Sequence, residues 1–381
     1  MVQSEMLVKH KLSDDYSVIS LSKYKQIYYK GISFLLNKIQ QLQKTKSTTL
    51  HSSNLYGSSV FDLINNSDAD IINLHWINHE TLSLRQVSKI NKPIVMTLHD
   101  MWAFCGTEHL SIDGLKSDFR VGYKELSEDS DFISGLNLNK IVWNRKLKYW
   151  RKPFTIVTPS NWLSQCARES VLFKGWDVHT IPNALDTDVF RPVDKKLARD
   201  LLNLSIDKKL IGFGAMGGGT DSNKGFDLLE DALKELSVNE NYQCIVFGQS
   251  TPEKISNLGL PVKFIGHLND DVTLTLFYNA IDVMVVPSRQ ENLPQTATEA
   301  QACGTPVVAF NTTGLVDAVD HKTTGYLANP FDTNDLAYGI RWCINNKLDL
   351  GNNARNKAIS EWSYNIISEK YNLLYKKCLN G

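Results

Sequence analysis

Short apolar runs that alternate with helical patterns constrain the fold of this chain more than any other feature. Each run is rich in β-branched residues and is nearly continuous in apolar side chains, as expected of strands in parallel sheets that helices cover on both faces. Two sets of such runs predict two doubly wound α/β domains. The predicted strands are 70–74, 93–98 and 154–158 in the first half, and 210–214, 243–247, 262–265, 283–286 and 307–310 in the second.

A segment rich in turn-forming residues, 181–192, separates the two sets of strands. A length of 381 residues also suits two domains of ordinary size. Ligands of doubly wound sheets bind outside the carboxyl ends of the strands. We therefore expect the functional residues to lie in the loops that follow strands.

Charge and cysteine usage exclude several classes of protein. Lys plus Arg and Asp plus Glu balance at 41 each, so no overall charge favours nucleic acid. Apolar runs of roughly 18 residues or more, which would predict transmembrane helices, are absent from the sequence. The six cysteines are scattered without metal-ligand spacing, and the N-terminus has no signal-peptide pattern. These features predict a cytoplasmic protein with reduced thiols and no metal or other cofactor.

Two glutamates, Glu291 and Glu299, flank the start of a short predicted helix. Pro294 suits the first turn of that helix, Gly304 suits a left-handed cap at its end, and Pro306 prevents its continuation. The free N–H groups at the helix start favour phosphate. Because a carboxylate beside a phosphate site is explained by sugar hydroxyls, the pattern predicts a sugar-nucleotide site.

The sequence from Val285 to Val308, with its Glu-x7-Glu element, closely resembles the donor-site signature of retaining family-4 glycosyltransferases of the GT-B fold. The resemblance implies two Rossmann-like domains facing across a cleft, and an enzyme of the EC 2.4 class. It implies an acceptor-side domain over 1–184 and a donor domain over 185–355. It also implies a C-terminal helix, 356–381, that crosses back to the first domain.

The same resemblance assigns roles around the two glutamates. Glu299 would bind the ribose hydroxyls, and Glu291 would face the donor sugar as a catalytic residue. The backbone amides of Asn292 and Leu293 would meet the pyrophosphate or the sugar. The helix end near Gln295 would help to stabilise the departing diphosphate.

A glycine-rich loop follows the first strand of the second half. Glycines let backbone N–H groups converge on an anion, and Gly217 and Gly218 would do so here. Lys224 matches the lysine that neutralises the donor pyrophosphate in the family. By the same resemblance the nucleotide base would lie near Gly266 and Leu268, largely against backbone.

The chain departs from the family pattern at two places. The family often has an arginine shortly after that strand, where this chain has Ala215 and Met216; Arg289 is a candidate substitute. Residues 1–8 read like the second strand of the family, so its first strand, glycine-rich loop and first helix are expected to be missing. Losing a central parallel strand would expose unpaired backbone groups.

In the first half, His99 and Asp100 directly follow a predicted strand. A lone histidine at such a place is structural as often as functional, but family-4 enzymes carry one close to the reacting sugar. The resemblance therefore assigns His99 to donor-sugar binding and transition-state polarisation, and Asp100 to orienting it or touching the acceptor. His75 and Trp76 would line the acceptor side. Trp76 and Trp102 either stack on sugar rings or pack in the core.

Acidic residues are absent between Tyr16 and Phe61, where six lysines alternate with aromatic and aliphatic residues. A basic amphipathic helix within 22–46 either lies on an anionic membrane or packs its apolar side on the core. Membrane contact would suit a lipid-linked acceptor.

Together these features predict a retaining glycosyltransferase that moves a sugar from a nucleotide-sugar to a glycan or lipid-linked saccharide. The expected setting is exopolysaccharide, O-antigen or capsule biosynthesis at the inner face of the plasma membrane. The alternatives are a non-catalytic GT-B remnant that binds nucleotide or a membrane partner, and a GT-B sugar-nucleotide epimerase. The base, the donor sugar and the acceptor stay open.

Overall fold

The chain divides into two compact units: Met1–Ile181 with Tyr371–Gly381 form the first, and Pro182–Lys370 form the second. Each unit has its own buried apolar core. Within the described residues, the structure has no helix long and apolar enough to cross a membrane. The computed structural model describes residues 3–46, 49–123, 129–214, 221–236, 241–249 and 259–380.

The first unit is built around a four-stranded parallel sheet of order β4-β5-β7-β8. Two smaller pairs accompany it, parallel β1-β2 and antiparallel β3-β6. Its elements are β1 (Met6–Val8), β2 (Val18–Ser20), α1 (Lys23–Gln40), β3 (Gln43–Thr45), α2 (Val60–Asn66), β4 (Ile72–His75), α3 (Leu84–Val87), β5 (Ile94–Thr97), α4 (Asp118–Val121), β6 (Phe132–Gly135), α5 (Leu138–Tyr149), β7 (Thr155–Thr158), α6 (Asn161–Glu169) and β8 (Val178–Thr180).

The three strands predicted in this half are confirmed as β4, β5 and β7. The edge strand β8 was not predicted, because it is short and includes the polar residue His179. Within the described residues, β1 pairs only with β2 and β4 pairs only with β5. One edge of β1 and one edge of β4 therefore have no ladder partner there.

The second unit contains a six-stranded, all-parallel sheet. The five strands predicted in this half are confirmed as β9 to β13, and β14 was not predicted. The elements are α7 (Lys195–Leu201), β9 (Lys209–Gly214), a 3₁₀ turn (Ser222–Lys224), α8 (Phe226–Lys234), β10 (Tyr242–Phe247), β11 (Val262–Phe264), α9 (Asp271–Ala280), β12 (Val283–Val286), α10 (Gln295–Ala302), β13 (Val307–Phe310), α11 (Leu315–Ala318), β14 (Gly325–Ala328), α12 (Thr333–Asn345), α13 (Lys347–Trp362) and α14 (Tyr364–Asn380), whose end belongs to the first unit.

The strand order of the second unit is β11-β10-β9-β12-β13-β14. Successive strands are added on one side of β9 up to β11, and from β12 onward they are added on its other side. A doubly wound sheet opens a crevice at such a switch point, outside the carboxyl ends of the two strands. The chain leaves β9 toward Lys224 and leaves β12 toward Glu291. The topology thus delivers both predicted donor-site residues to one edge of the sheet.

Helix α10 forms where the sequence predicts it, with one difference at its start. Pro294 is the N-cap rather than the first helical residue, with φ −69° and ψ 124°. Gly304 takes the predicted left-handed conformation, with φ +73°, at the end of the helix. Buried Ala297 and Ala300 face the core, which leaves Glu299 on the half-exposed side.

Candidate functional site

The predicted donor-site residues Lys224 and Glu291 form an ion pair at the switch point, with Nζ 2.6 Å from Oε1. The two loops that carry them are also joined by hydrogen bonds. Asn223 Nδ2 donates to Gln290 O at 2.8 Å, and the amide of Arg289 donates to Asn223 O at 2.8 Å. Because hydrogen bonds join the two loops, the Lys224 ammonium and the Glu291 carboxylate are kept next to each other.

Gly225 makes the close approach of these loops sterically possible. Its φ is +68°, a conformation that favours glycine. A Cβ at this position would also lie 2.0 Å from Pro287 O. Gly225 therefore supports the placement of Lys224, a role that its position in a glycine-rich loop did not specify.

The loop with Asn292 and Leu293 rests against the start of α11. The amide of Glu291 donates to Thr313 Oγ1 at 3.1 Å, and the amide of Gly314 donates to Glu291 O at 2.9 Å. A Cβ on Gly314 would lie 1.4 Å from Asn292 O. Thr313 and Gly314 thus support the loop, although neither belongs to the motif that predicted the site.

Replacement of Gly314 by alanine is expected to weaken donor binding about tenfold, because the loop backbone must move to admit a methyl group. The φ of Gly314 is −73°, so the substitution adds no backbone strain and its effect is steric. The matched control is Gly31→Ala, where a Cβ would meet nothing within 4 Å. Calorimetric titration with a nucleotide-sugar checks the prediction, and equal affinities for the two variants would contradict it.

Glu299 lies on α10 and has a specific partner. Tyr278 Oη donates to Glu299 Oε2 at 2.7 Å. Burial raises the pKa of Glu299 to about 7, although the bond from Tyr278 opposes the shift. The carboxyl group therefore changes charge near neutral pH, which gives ligand binding at this position a measurable proton signature.

Gly266, Leu268 and Gln295, three other residues predicted for the donor site, lie in the second unit. Gly217 and Gly218 lie outside the described residues. Gly266 has φ +75° and open space where a Cβ would lie. Leu268 is half-buried, and Gln295 is exposed at the start of α10. The donor-binding roles of these residues stay predictions.

Arg289, the candidate substitute for the missing arginine, already has an anionic partner. Its Nη1 and Nη2 lie 2.9 and 2.6 Å from the two carboxylate oxygens of Asp227. Its Nη1 also donates to Ser222 O at 2.5 Å. The guanidinium thus stabilises the turn that carries Lys224.

In the first unit, the ends of β4 and β5 bring two predicted residues together. His75 Nδ1 lies 3.0 Å from His99 Nε2, so one ring donates a hydrogen bond to the other. Desolvation and the neighbouring His99 lower the pKa of His75 to about 4. Desolvation also lowers the pKa of His99, with Asp100 partly opposing the shift. The two rings are therefore neutral at pH 7, while part of each residue is exposed to solvent.

Asp100 belongs to a network that the sequence did not indicate. His109 Nδ1 lies 2.6 Å from Asp100 Oδ2, and His109 Nε2 lies 2.8 Å from Ser52 Oγ. With Nδ1 donating to the carboxylate, Nε2 accepts from the serine hydroxyl. The amide of Trp102 donates to Asp100 Oδ1 at 2.9 Å. Ser52 and His109 are 57 residues apart in the chain, so no motif links them.

The two tryptophans of the predicted acceptor side have different environments. Trp76 is 43% exposed and has a positive φ of 39°. Trp102 is 3% exposed, and its indole N–H donates to Ser52 O at 2.8 Å. Of the two alternatives, core packing is correct for Trp102, because its ring is enclosed by the core of the unit. Trp76 is open to a ligand.

His75, Trp76 and His99 line an open groove of about 1410 Å³ within the first unit. Residues of β1, one side of α1, the end of β4 and the segment 76–81 form its walls. The predicted acceptor-side histidine and the predicted catalytic histidine thus lie in one cavity.

Residues 215–361 match the family model described as "Glycosyl transferases group 1". They include Lys224, Glu291 and Glu299, so the residues predicted for the donor site all lie inside the matched region.

Curated relatives are also described as glycosyltransferases. The chain is 33% identical over 213 residues to D-inositol 3-phosphate glycosyltransferase 2 of Catenulispora acidiphila, which covers 50% of this chain and 49% of the relative. The chain spans about half or less of the length of the curated relatives it matches.

Solved structures show the fold over most of the chain. Sucrose-phosphate synthase from Thermosynechococcus elongatus superposes with a TM-score of 0.64 at 23% identity, covering 83% of this chain and 75% of that protein. Anabaena HepE, in complex with UDP and glucose, has a TM-score of 0.60 at 19% identity, covering 84% and 81%. The predicted GT-B fold class, with two α/β domains, is confirmed.

Proposed function

We propose that the protein is a retaining glycosyltransferase that transfers a sugar from a nucleotide-sugar to a glycan or lipid-linked acceptor. The observation that carries the proposal is the Lys224–Glu291 ion pair at the switch point of a group 1 domain. An ammonium and a carboxylate held together there match the two halves of the ligand, a diphosphate and a sugar with hydroxyl groups.

In the proposed donor complex, Lys224 turns from Glu291 to the diphosphate, and the released Glu291 carboxylate accepts hydrogen bonds from the donor sugar. The amides of Asn292 and Leu293, with the N-terminus of α10 at Gln295, supply further donors. As the bond to the anomeric carbon breaks, charge accumulates on the leaving diphosphate. Stabilising that charge is the main contribution of these groups to catalysis.

On the proposed acceptor side, the reaction needs polarisation of the donor sugar rather than a strong base. Retention follows when the acceptor hydroxyl attacks from the face that the diphosphate leaves, and the diphosphate takes the hydroxyl proton. A neutral His99 suits this chemistry, because it donates or accepts a hydrogen bond without adding charge. Asp100, held by His109 and by the amide of Trp102, either orients His99 or touches the acceptor.

The relatives guide the choice of ligands to test. HepE was solved with UDP and with UDP-glucose, and several curated relatives are named for D-inositol 3-phosphate. UDP-sugars are therefore the first donors to examine. A role in exopolysaccharide, O-antigen or capsule biosynthesis at the inner face of the plasma membrane is part of the proposal.

The proposal is tested with a panel of UDP-, GDP- and ADP-sugars, using calorimetry for binding and mass spectrometry for release of the free nucleotide. Binding of one donor, with its slow hydrolysis, is the expected result. An epimerase would instead return an altered sugar, and the Glu-x7-Glu element argues against that. Binding without turnover would favour the non-catalytic remnant.

Donor binding is expected to release protons near pH 7 if Glu299 holds the ribose. The free protein has a Glu299 pKa of about 7, and hydroxyl donors favour the ionised carboxylate. Binding therefore lowers this pKa, and affinity falls as pH decreases below 7. Calorimetry in buffers of different ionisation enthalpy measures the release. Glu299→Gln should abolish it, and an unchanged release in that variant would exclude the assignment.

We also propose contact between α1 and an anionic membrane. The helix spans 18 residues, none of them buried. Tyr24 and Leu35 are 88% and 62% exposed, and no acidic residue lies within α1. Basic helices with exposed aromatic residues bind anionic lipid surfaces by burying apolar area and by charge.

Vesicles containing an anionic phospholipid should bind the protein in low salt, whereas purely zwitterionic vesicles should not. Tyr24→Ala combined with Leu35→Ala should weaken binding about tenfold by removing buried apolar area. The control is Leu115→Ala with Leu348→Ala, two residues that are 90% and 82% exposed elsewhere. Co-sedimentation measures both, and an equal loss in the two double variants would refute a role for α1.

A further inference from the structure

Tyr278, near the end of α9, has a hydroxyl group that is buried directly beside Glu299. The side chain is 0% exposed, and Oη donates to Glu299 Oε2 at 2.7 Å. Across the described part of the chain, Oη has no other hydrogen-bond partner. Burying a hydroxyl without a hydrogen bond is costly. The bond to Glu299 therefore explains why a tyrosine, rather than a phenylalanine, is accommodated here.

The ring of Tyr278 is held on several sides. The ring centres of Phe277, Phe247 and Phe190 lie 5.5, 6.3 and 6.4 Å from its own. The backbone is held as well, because Thr305 Oγ1 donates to Tyr278 O at 2.7 Å. A side chain packed in this way keeps one rotamer. The hydroxyl group thus has a fixed position relative to α10.

The hydrogen bond leaves one oxygen of Glu299 open to a ligand. Burial and the nearby Glu299 carboxylate keep the pKa of Tyr278 well above its usual range, so the phenol stays protonated and donates. Oε2 accepts that bond. Oε1 has no hydrogen-bond partner in the described ranges, and the residue is half-buried. A ligand that donates hydrogen bonds can therefore reach Oε1.

The other polar groups around Glu299 do not take the place of Tyr278. Burial raises the pKa of Glu299, the bond from Tyr278 opposes that rise, and the negative charge of Asp271 on α9 adds to it. Cys303, one turn along α10, is a neutral thiol, because burial and Glu299 raise its pKa. Arg355 on α13 donates to three backbone carbonyl groups. The bond from Tyr278 is thus the interaction that favours the ionised carboxylate.

We propose that Tyr278 is a positioning residue for the nucleotide-sugar, since its hydroxyl holds Oε2 of Glu299 and thereby presents Oε1 to the ribose hydroxyls. This rests on the proposed function, in which Glu299 binds the ribose. The same bond has two effects. It orients the carboxyl group, and it stabilises the ionised form, which accepts hydrogen bonds from hydroxyl groups through both oxygens.

The first test is the titration of Glu299 in the free protein. Tyr278→Phe removes the hydroxyl and keeps the ring, so the packing against the three phenylalanines stays. NMR titration of the side-chain carboxyl groups measures the pKa, and Glu299→Gln identifies the resonance. The pKa of about 7 should rise in Tyr278→Phe, because the carboxylate loses a hydrogen bond that favours its ionised form. An unchanged pKa would overturn the proposal.

Binding of the nucleotide-sugar supplies a second readout, measured by calorimetry as a function of pH. Tyr278→Phe should weaken binding about tenfold at pH 7, because more of Glu299 is protonated and the carboxyl group is no longer oriented. With a raised pKa, the loss of affinity on acidification begins at a higher pH than in the unmodified chain. At alkaline pH Glu299 is ionised in both proteins, so the difference should narrow. A loss that is equal at every pH would indicate a merely structural role.

The matched control is Tyr326→Phe in the same unit. Tyr326 is 7% exposed, and its Oη donates to Asp335 Oδ1 at 2.8 Å, so this variant also removes a bond from a tyrosine hydroxyl to a carboxylate. It should leave both the pKa of Glu299 and the pH dependence of binding unchanged. Equal changes in the two variants would show a general effect on the unit and would overturn the proposal.

A double-mutant cycle shows whether Tyr278 acts through Glu299. In the Glu299→Gln background, Tyr278→Phe should cause little further loss of affinity, because the carboxylate that it positions is gone. Fully additive losses would contradict the proposal.

Failure of this inference and failure of the proposed function give different results. If Glu299→Gln weakens nucleotide-sugar binding but Tyr278→Phe changes neither the pKa nor the pH dependence, only this inference is wrong. If Tyr278→Phe raises the pKa of Glu299 but Glu299→Gln leaves the affinity unchanged, the link between the two side chains stands and the proposed role of Glu299 is wrong.

Discussion

Replacing Lys224 with alanine is expected to weaken nucleotide-sugar binding about 100-fold, or about 2.7 kcal/mol. The side chain supplies a charge-assisted hydrogen bond to the diphosphate, which is worth more than a neutral one. Its loss also removes the positive charge that offsets the Glu291 carboxylate, its partner at 2.6 Å in the free protein, when the diphosphate binds nearby. Repulsion thus adds to the missing attraction.

A double-mutant cycle separates these two contributions. Combining Lys224→Ala with Glu291→Gln should recover part of the lost affinity for the nucleoside diphosphate, because the repelling carboxylate is removed. Glu291→Gln alone should leave nucleoside diphosphate binding nearly unchanged and weaken binding of the complete nucleotide-sugar. The measurement is calorimetry of UDP against the UDP-sugar. If Lys224→Ala binds the donor as tightly as the unmodified chain, the proposed donor site is wrong.

The residues predicted for the donor side could be selected from the sequence because they lie in two βα units, each with a local pattern. Glu291, Pro294, Glu299 and Gly304 fall within one loop and one helix, so a local pattern captured them. The supporting contact from Gly314 was not predictable. It depends on how the start of α11 packs against the loop, with the amide of Gly314 bonded to Glu291 O.

The first unit shows the opposite situation. Its hydrogen-bond network joins residues that only the fold brings together, such as Ser52, Asp100 and His109. The burial of Trp102 beneath this network, and the exposure of Trp76, have the same origin. The sequence pattern does not distinguish the two tryptophan rings. Stacking on a sugar and packing in the core therefore stayed open for both.

Lys146 provides the largest expected effect on stability, because it is fully buried on α5 and holds a loop through its ammonium group. Its Nζ donates to Cys105 O at 2.9 Å and to Gly106 O at 2.8 Å, and also to Trp102 O. It lies 3.9 Å from the centre of the Trp102 ring. In its ammonium form this one side chain satisfies three buried carbonyl groups of the segment that follows His99 and Asp100, and burial lowers its pKa to about 7.

Lys146→Met keeps much of the side-chain volume and removes every one of these donors. The expected cost is about 4 kcal/mol in the free energy of unfolding, since buried carbonyl groups lose their partners. For a unit of this size, the melting temperature should fall by about 12 °C. The matched control is Lys148→Met on the same helix, where the side chain is exposed and a shift of under about 0.5 kcal/mol is expected.

Scanning calorimetry of the full chain measures both variants, and nucleotide-sugar binding identifies the unit affected. Lys224, Glu291 and Glu299 lie in the second unit, so Lys146→Met should bind the donor normally below its melting transition. Turnover should nevertheless fall, because the loop that carries His99 and Asp100 loses its support. Equal melting temperatures for Lys146→Met and Lys148→Met would show that the three carbonyl groups find other donors, and that Lys146 does not stabilise the loop.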